Sequence, residues 1–310
     1  MHPLAVLLIA YGGPQSLDEV EPFLLEVRRG RAAPPALVEE IKRRYATIGG
    51  RSPLPEITGQ QAAALEARLG SAHGLPARVY VGMRHGRPPI REAVARMAAD
   101  GVQRMVALNM SPYHSSITTG HAFSLMDAAL EALGVPIAVT RIDSWHTHPG
   151  LIAALAEAAR AGLQLFGIPG PASMPKVIFT AHSIPVRVRD QGDPYADQVQ
   201  EAAALVARQL GLAAEGWVFC YQSAGRSPEP WLGPSIEDVV VELAGAGERN
   251  LLVVPIGFTC DQVELLYDID LACRSLAQAH GARLERCPAL NASPTLISAL
   301  AELVAGASQG

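Results

Sequence analysis

Runs of apolar residues alternate along this chain with segments in which apolar residues recur every three or four positions. Eight runs are rich in Val, Ile and Leu and are bounded by turn residues, which is typical of strands. Several runs are apolar throughout, which predicts strands buried on both faces. The predicted strands are residues 5–11, 78–84, 104–110, 136–142, 177–183, 216–222, 250–258 and 282–290.

Segments with helical spacing fall between these runs, and several of them stop at glycine. Because strand and helix alternate, we expect parallel sheets with right-handed crossovers. The sequence therefore predicts an α/β protein with two similar Rossmann-like domains, each a four-stranded parallel sheet flanked by helices. The predicted helices are residues 36–48, 57–70, 90–101, 117–134, 194–211, 235–247, 261–281 and 294–305.

The length of 310 residues and the hydrophobic share of 49% suffice for two cores. Four strands fall in each half, which predicts one domain at residues 1–150 and a second at 151–310, with a Gly/Pro-rich connector at 164–175. The last helix is expected to pack back on the first domain. Ligands of open α/β sheets bind beyond the carboxyl ends of the strands, so we expect a site in an interdomain cleft.

Charge and cysteine content argue against several classes of function. The net charge is −5 and no Lys/Arg-rich run occurs, so no nucleic-acid partner is expected. The four cysteines form no CxxC pair, which favours reduced thiols in a cytoplasmic protein; Cys260 lies next to the candidate site. No apolar stretch reaches the roughly 18 residues of a membrane span, and the N-terminal run is predicted to be a strand rather than a signal peptide.

Polar side chains stand where the predicted strands end, among them Tyr11 and His182. A histidine in that position can ligate a metal or transfer protons, since its unperturbed pKa is about 6.5. Taken alone, a histidine after an apolar strand more often has a structural role. Asp261, Glu264 and Asp268 follow the seventh strand at helical spacing and would form one acidic face. That face is either solvated, with Asp261 as a helix cap, or relieved by a cation or base.

The residues described above also match a known family. The chain resembles the ferrochelatases, enzymes that insert ferrous iron into a porphyrin, along essentially its whole length and in family order. The resemblance implies a lyase of haem biosynthesis with two Rossmann-like domains around a porphyrin cleft. The matching segments are LLIAYGGP (7–14), VRRGR (27–31), RRYATIGGRSPL (43–54), FTAHSIP (179–185), GDPYADQ (192–198), YQSAG (221–225), PWLGPS (230–235) and GFTCDQVELLYDID (257–270).

The resemblance also implies roles for individual residues. His182 and Glu264 correspond to the catalytic pair, and both, together with Asp268, to metal-binding positions. No organic cofactor is implied because ferrous iron is a substrate, and no iron–sulfur cluster is expected because a cysteine-bearing C-terminal extension is absent. The positions that correspond to porphyrin contacts are Tyr11, Arg28, Arg44, Tyr45 and Ser52.

Two positions depart from the family pattern. Gln262 stands where the family usually has a histidine, and Ala272 stands where one branch often has an acidic residue. An amide cannot ligate a metal or bind a proton as an imidazole does. The porphyrin is either protoporphyrin IX or coproporphyrin III, because different segments resemble different branches.

Two other functions stay open from the sequence alone: a tetrapyrrole- or haem-binding protein without catalysis, and a cobalt-type chelatase. The intact His182 and Glu264 favour the iron enzyme, because a carrier needs no base. We expect a monomer that makes transient contact with a membrane or a haem acceptor. Residues 31–37 are either a cleft lip that touches a bilayer or an ordinary loop.

Overall fold

The computed structural model describes residues 3–167 and 174–309 and contains two four-stranded parallel sheets within those ranges. The strand order is β2-β1-β3-β4 in the first sheet and β6-β5-β7-β8 in the second, so the two halves repeat one topology. The predicted fold class is therefore confirmed. The strands are β1 Leu4–Gly12, β2 Ala77–His85, β3 Arg104–Asn109, β4 Ala138–Ile142, β5 Lys176–His182, β6 Trp217–Gln222, β7 Asn250–Val254 and β8 Arg283–Arg286.

The helices of the described ranges cover both faces of each sheet. They are α1 Val20–Val27, α2 Pro35–Thr47, α3 Leu54–His73, α4 Ile90–Ala99, α5 His121–Leu133, α6 Pro149–Gln164, α7 Val186–Asp190, α8 Tyr195–Leu210, α9 Ile236–Gly245, α10 Val263–Leu266, α11 Arg274–Ala279 and α12 Pro294–Ala307. The sequence did not predict α1, α6 or α7. Helix α6 fills much of the stretch in which the domain boundary was expected, and it packs on α8 and α12.

The central strand of each sheet is buried on both faces, as its unbroken apolar sequence predicts. In β1, Val6 and Leu8 join one apolar cluster, whereas Leu7 and Ile9 join another on the opposite face. The cluster that contains Val6 and Leu8 continues into the second sheet and includes Phe179 of β5. The inner faces of the two sheets therefore share one core, while α4 and α5 cover the outer face of the first sheet.

Several predicted elements end earlier than expected or are interrupted; strand β8, for example, stops at Arg286 instead of reaching residue 290. Strand β7 stops at Val254 instead of reaching residue 258, because Pro255 follows and has no N–H to donate to the ladder. The helix predicted at 261–281 is interrupted: α10 makes a single turn, and a π-helical segment, Asp268–Cys273, joins it to α11. A second π-helical turn, Ser116–Gly120, precedes α5. Both π-helical segments lie near the cleft between the sheets. Such segments are frequent at functional sites of proteins.

The C-terminal helix α12 packs against α3 and α6 and touches β3 and β4, so the last helix does return to the first half. The domain limits 1–150 and 151–310 stay a prediction. Of the predicted connector 164–175, residues 168–173 lie outside the described residues. In the part of the chain that the structure describes, none of the helices combines the length and the apolar character that crossing a bilayer requires.

Candidate active site

A cleft of about 300 Å³ lies between the carboxyl edges of the two sheets. The first half contributes Tyr11 and Arg84 from the ends of β1 and β2. The second half contributes His182 from the end of β5 and Glu264 from α10. The cleft thus lies at the strand ends, where the sequence predicts a site, and the fold brings residues 253 positions apart in the chain (264 − 11) to one cavity.

His182 is the last residue of β5 and its backbone is fixed on several sides. The Tyr195 hydroxyl donates a hydrogen bond to the His182 carbonyl at 2.8 Å. The next residue, Ser183, donates its backbone N–H to the Gln222 carbonyl at 2.8 Å, and its hydroxyl donates to the Leu232 carbonyl at 2.8 Å. The strand end is therefore rigidly held, and the imidazole has a defined position in the cleft.

The His182 imidazole is set up to accept a proton or to ligate a cation. Its Nδ1 lies 2.6 Å from the Ser183 carbonyl oxygen. A carbonyl oxygen can only accept, so Nδ1 carries the hydrogen and Nε2 keeps its lone pair. Burial lowers the pKa of His182 below 6.5, although the Ser183 carbonyl and Asp268 oppose that shift. The ring is therefore neutral near pH 7.

Glu264 lies in the single turn of α10, which is tied to the second sheet. Gln222 at the end of β6 donates its amide N–H to the Glu264 carbonyl at 2.9 Å, and it accepts from the Thr180 hydroxyl at 3.2 Å. Burial, followed by the charge of Asp268, raises the pKa of Glu264 to about 7, whereas Arg44 opposes the rise. A carboxyl group with such a pKa exchanges protons readily at neutral pH.

Asp268 is engaged by the other half of the molecule. Arg44 of α2 donates to one Asp268 carboxylate oxygen at 3.1 Å, and Ser223 donates to the other at 2.6 Å. Arg44 also donates to Glu40 at 2.9 Å and lies over the Tyr267 ring at 5.0 Å. The guanidinium of Arg44, a predicted porphyrin contact, therefore bridges the two halves of the chain in this structure.

The expected acidic face of Asp261, Glu264 and Asp268 does not form, and that prediction was wrong. Asp261 precedes α10 and is not its cap; it lies 3.1 Å from Arg286 and is bonded to Asn291 at 2.9 Å. Asp261 therefore pairs with the distant Arg286 instead of capping the nearby helix. Glu264 and Asp268 remain near each other, as the pKa of Glu264 reflects.

Two tyrosines of the first half stand close to Glu264. Tyr11 exposes 40% of its surface into the cleft, and its ring packs edge-on against His85 at 5.1 Å and against Phe23 at 6.4 Å. Although part of the ring is exposed, the cleft walls desolvate the hydroxyl, and this effect, followed by the charge of Glu264, raises the pKa of Tyr11 to about 12. The same two causes raise the pKa of Tyr45, which is almost fully buried. Both phenols are therefore neutral hydrogen-bonding groups whose pKa responds to the charge of the Glu264 carboxyl.

Two other predicted porphyrin contacts have different surroundings. Arg28 follows α1, and its Nε donates to the Arg31 carbonyl at 3.2 Å. Ser52 is 5% exposed; its N–H donates to the Pro14 carbonyl at 2.8 Å, and its side chain lies where a Cβ on Gly13 would clash with it. Neither lines the cleft in this structure, so their contact with a porphyrin stays a prediction.

The predicted metal-binding residues His182, Glu264 and Asp268 do not form a compact site of the kind that holds a resident metal. In residues 3–167 and 174–309, no three His, Cys, Asp or Glu side chains come close enough to hold one ion together. Gln262 lines the cleft and Ala272 is exposed on the π-helical segment. Cys260 also lines the cleft, but burial raises its pKa to about 12, so it is a thiol rather than a thiolate ligand. His182 and Glu264 are the groups that remain suited to a transient cation.

His121 near the cleft was missed at the sequence level. It is the first residue of α5, which follows β3 after a π-helical turn. The signal that would have found it is its place just beyond the carboxyl end of a parallel strand, where ligand-contacting residues of α/β sheets collect.

Comparison with known proteins agrees with this geometry. A ferrochelatase family model matches residues 3–308. The ferrochelatase of Deinococcus radiodurans is 44% identical over 302 residues, which cover 97% of this chain and 95% of that protein. The coproporphyrin III ferrochelatase of Geobacillus kaustophilus is 37% identical over 310 residues, which cover 96% of this chain and 94% of that protein. Among solved structures, SirB from Bacillus subtilis with Fe³⁺ shares the fold, with a TM-score of 0.60 at 14% identity over 99% of this chain and 96% of its own. This chain therefore belongs to the ferrochelatase family.

Proposed function

We propose that this chain inserts ferrous iron into a porphyrin, a step of haem biosynthesis, in the cleft between the carboxyl edges of its two sheets. The observation that carries the proposal is the neutral His182, whose Nε2 is free, in the same cavity as a Glu264 carboxyl with a pKa of about 7. The chain is accordingly an enzyme, a lyase that forms nitrogen–metal bonds.

The reaction needs both groups. A porphyrin must lose two pyrrole protons while a hydrated cation sheds its waters and reaches the ring nitrogens. The free Nε2 of His182 accepts a proton or contacts the incoming cation, and ionised Glu264 stabilises the resulting positive charge. The roles of base and of ligand require the same deprotonated forms of the two groups.

The opposite wall suits a flat aromatic ring. Tyr11 presents a large exposed face, and most of the accessible surface of the cleft is apolar, although many of the lining side chains carry a polar atom. A macrocycle held between Tyr11 and His182 would contact an aromatic ring on one face and a neutral imidazole on the other. Any bending of the ring by the cleft exposes nitrogen lone pairs on one face, which favours the transition state for metal entry.

The remaining expectations belong to the same proposal. Ferrous iron and the porphyrin are substrates, so neither an organic cofactor nor an iron–sulfur cluster is required. Asp268 serves as a second carboxylate on the way to Glu264 once Arg44 releases it. The enzyme works as a cytoplasmic monomer, and residues 31–37, which are mostly exposed and run into the first turn of α2, contact a membrane or a haem acceptor transiently.

The test is anaerobic iron insertion by the purified protein, with protoporphyrin IX and coproporphyrin III assayed side by side. We expect the absorption spectrum of one or both porphyrins to convert to that of the iron complex with multiple turnovers. The faster reaction identifies the substrate. Tight binding of either porphyrin without insertion would instead indicate a tetrapyrrole carrier, and Gln262→His would then be the first variant to examine.

A further inference from the structure

Arg84 lines the cleft beside Tyr11 without a carboxylate partner. It belongs to the end of β2, and its guanidinium carbon lies 5.7 Å from the centre of the Tyr11 ring. Its Nε is buried and has no hydrogen-bond partner among the described residues. Burying a guanidinium N–H without an acceptor is costly, so an acceptor from a ligand would relieve the cost.

His121, on another element, also has a buried nitrogen without a hydrogen-bond partner. It begins α5, and its Nδ1 is buried and lacks a hydrogen-bond partner within the described ranges. Burial first, and then the charges of Arg84 and Arg29, lower the pKa of His121. Arg29 likewise lowers the pKa of Arg84, where burial is the larger cause. The charges of Arg84 and Arg29 therefore act on each other and on His121, although the three side chains belong to separate elements.

Arg29 completes the group at the protein surface. Its backbone is in the left-handed region, with φ of 54°, directly after the last residues of α1. No carboxylate of the described chain lies within 4 Å of Arg29 or Arg84. Like charges repel unless an anion lies between them, so the group is suited to an anion.

The contrast with Arg44 strengthens this interpretation. Arg44 already contacts Asp268 at 3.1 Å and Glu40 at 2.9 Å. Its charge is therefore balanced within the protein, whereas the charge around Arg84 is not. Of the two cationic regions near the cleft, the one around Arg84 is ready to receive an acidic ligand group without first breaking an ion pair.

We propose that Arg84 and His121, with Arg29 at the rim, form a carboxylate-binding subsite that holds one propionate of the porphyrin beside Tyr11. This inference rests on the function proposed above, because the acidic ligand is the porphyrin itself. A guanidinium donates to a carboxylate in a planar, bidentate arrangement, and the His121 Nδ1–H would add a third donor. The subsite would fix the rotation of the macrocycle about its own axis, and hence which pyrroles face His182.

The experiment compares coproporphyrin III with its tetramethyl ester, which has the same ring without carboxylates. Binding is followed by quenching of the fluorescence of Trp231, which lines the cleft. We expect Arg84→Met and His121→Leu each to weaken binding of the acid by about tenfold, the size of one charged hydrogen bond. Binding of the ester should be unchanged. Arg84→Lys should recover part of the loss.

Arg141→Met is the matched control, because it removes an arginine that is paired with Asp127 outside the cleft. The same preparations are assayed for iron insertion. Wild-type protein that inserts no iron would contradict the proposed function, while the acid-to-ester ratio would still decide whether the subsite exists. Equal losses for acid and ester, or no loss for either, would overturn the subsite even in an active enzyme.

Discussion

The two sheets repeat one strand order, yet their carboxyl edges carry opposite chemistry. Strand β1 occupies the same place in the first sheet as β5 does in the second. The first edge presents Tyr11 and Arg84, an aromatic ring and a cation. The second edge presents His182 and Glu264, a neutral base and a carboxyl group.

This difference shows how a repeated scaffold supports a division of labour. The shared topology places strand ends at the cleft in both halves, and the residue at each end then decides the role. An acidic, flat substrate needs rings and cations to hold it, whereas removal of pyrrole protons needs a base. Each requirement is met by a different half, so variants on the two walls should have different kinetic signatures.

The largest effect on activity is expected for His182→Ala. Removal of the His182 imidazole, whose Nε2 keeps its lone pair, should lower the rate of iron insertion by about 100-fold or more. Porphyrin affinity should change little, because Nε2 meets the ring centre rather than its periphery. Insertion rate and porphyrin binding are measured on the same sample, with the exposed His280 changed to Ala as the control. Equal loss in both histidine variants would remove His182 from the chemistry.

Gly12→Ala should have the largest effect on stability at the first edge. Gly12 has a φ of 93°, and a Cβ there would overlap the carbonyl oxygen of His85. We expect a loss of about 2–4 kcal/mol in the free energy of unfolding, measured with urea. Gly70→Ala is the control, because Gly70 lies in α3 with no neighbouring atom near its missing Cβ and should gain about 0.5–1 kcal/mol. A Gly12 variant as stable as the wild type would show that β1 and β2 can separate there.

The pH dependence sharpens the role of the second edge. Glu264 has its pKa raised to about 7, so its proton leaves between pH 6 and 8. If ionised Glu264 assists insertion, the rate should rise through that window and the rise should be absent in Glu264→Gln. A wild-type profile that is flat from pH 6 to 8 would contradict this role.

The same shift has a consequence for stability. Folding raises the pKa of Glu264 from 4.5 to about 7, so the folded protein holds the proton more tightly. Its contribution to stability is present below pH 4.5 and is lost as the pH rises to about 7. Glu264→Gln should therefore be more stable than the wild type by up to about 3 kcal/mol at pH 8, and not at pH 4. Thermal unfolding at the two pH values measures the difference.

The smallest effect is expected at the bridge between the walls. Arg44 and Asp268 are both partly exposed, so their ion pair should contribute about 1 kcal/mol or less to stability. A double-mutant cycle with Arg44→Met and Asp268→Asn isolates that coupling. Zero coupling would mean that this ion pair does not contribute to holding the two halves together.

The sequence predicted the strands well because burial on both faces leaves unbroken apolar runs. It also placed His182 and Tyr11 at strand ends for the same reason. It failed over 261–281, where helical spacing continues although the backbone makes a π-helical segment. The pairing of Asp261 with Arg286 was not predictable either, because it depends on contacts between distant segments rather than on local spacing. His121 was missed since the charged side chains that act on it belong to β2 and to the residues after α1, which only the fold brings together.

The most direct test of the division between the two walls is to measure both porphyrin Kd and kcat for iron insertion in His182→Ala and Arg84→Met. We expect His182→Ala to lose kcat by about 100-fold with little change in Kd. Arg84→Met should weaken Kd by about tenfold, with a much smaller loss in kcat than His182→Ala shows. If both variants change Kd and kcat in the same proportion, the two edges do not have separate roles and the assignment of holding and chemistry to different halves is wrong.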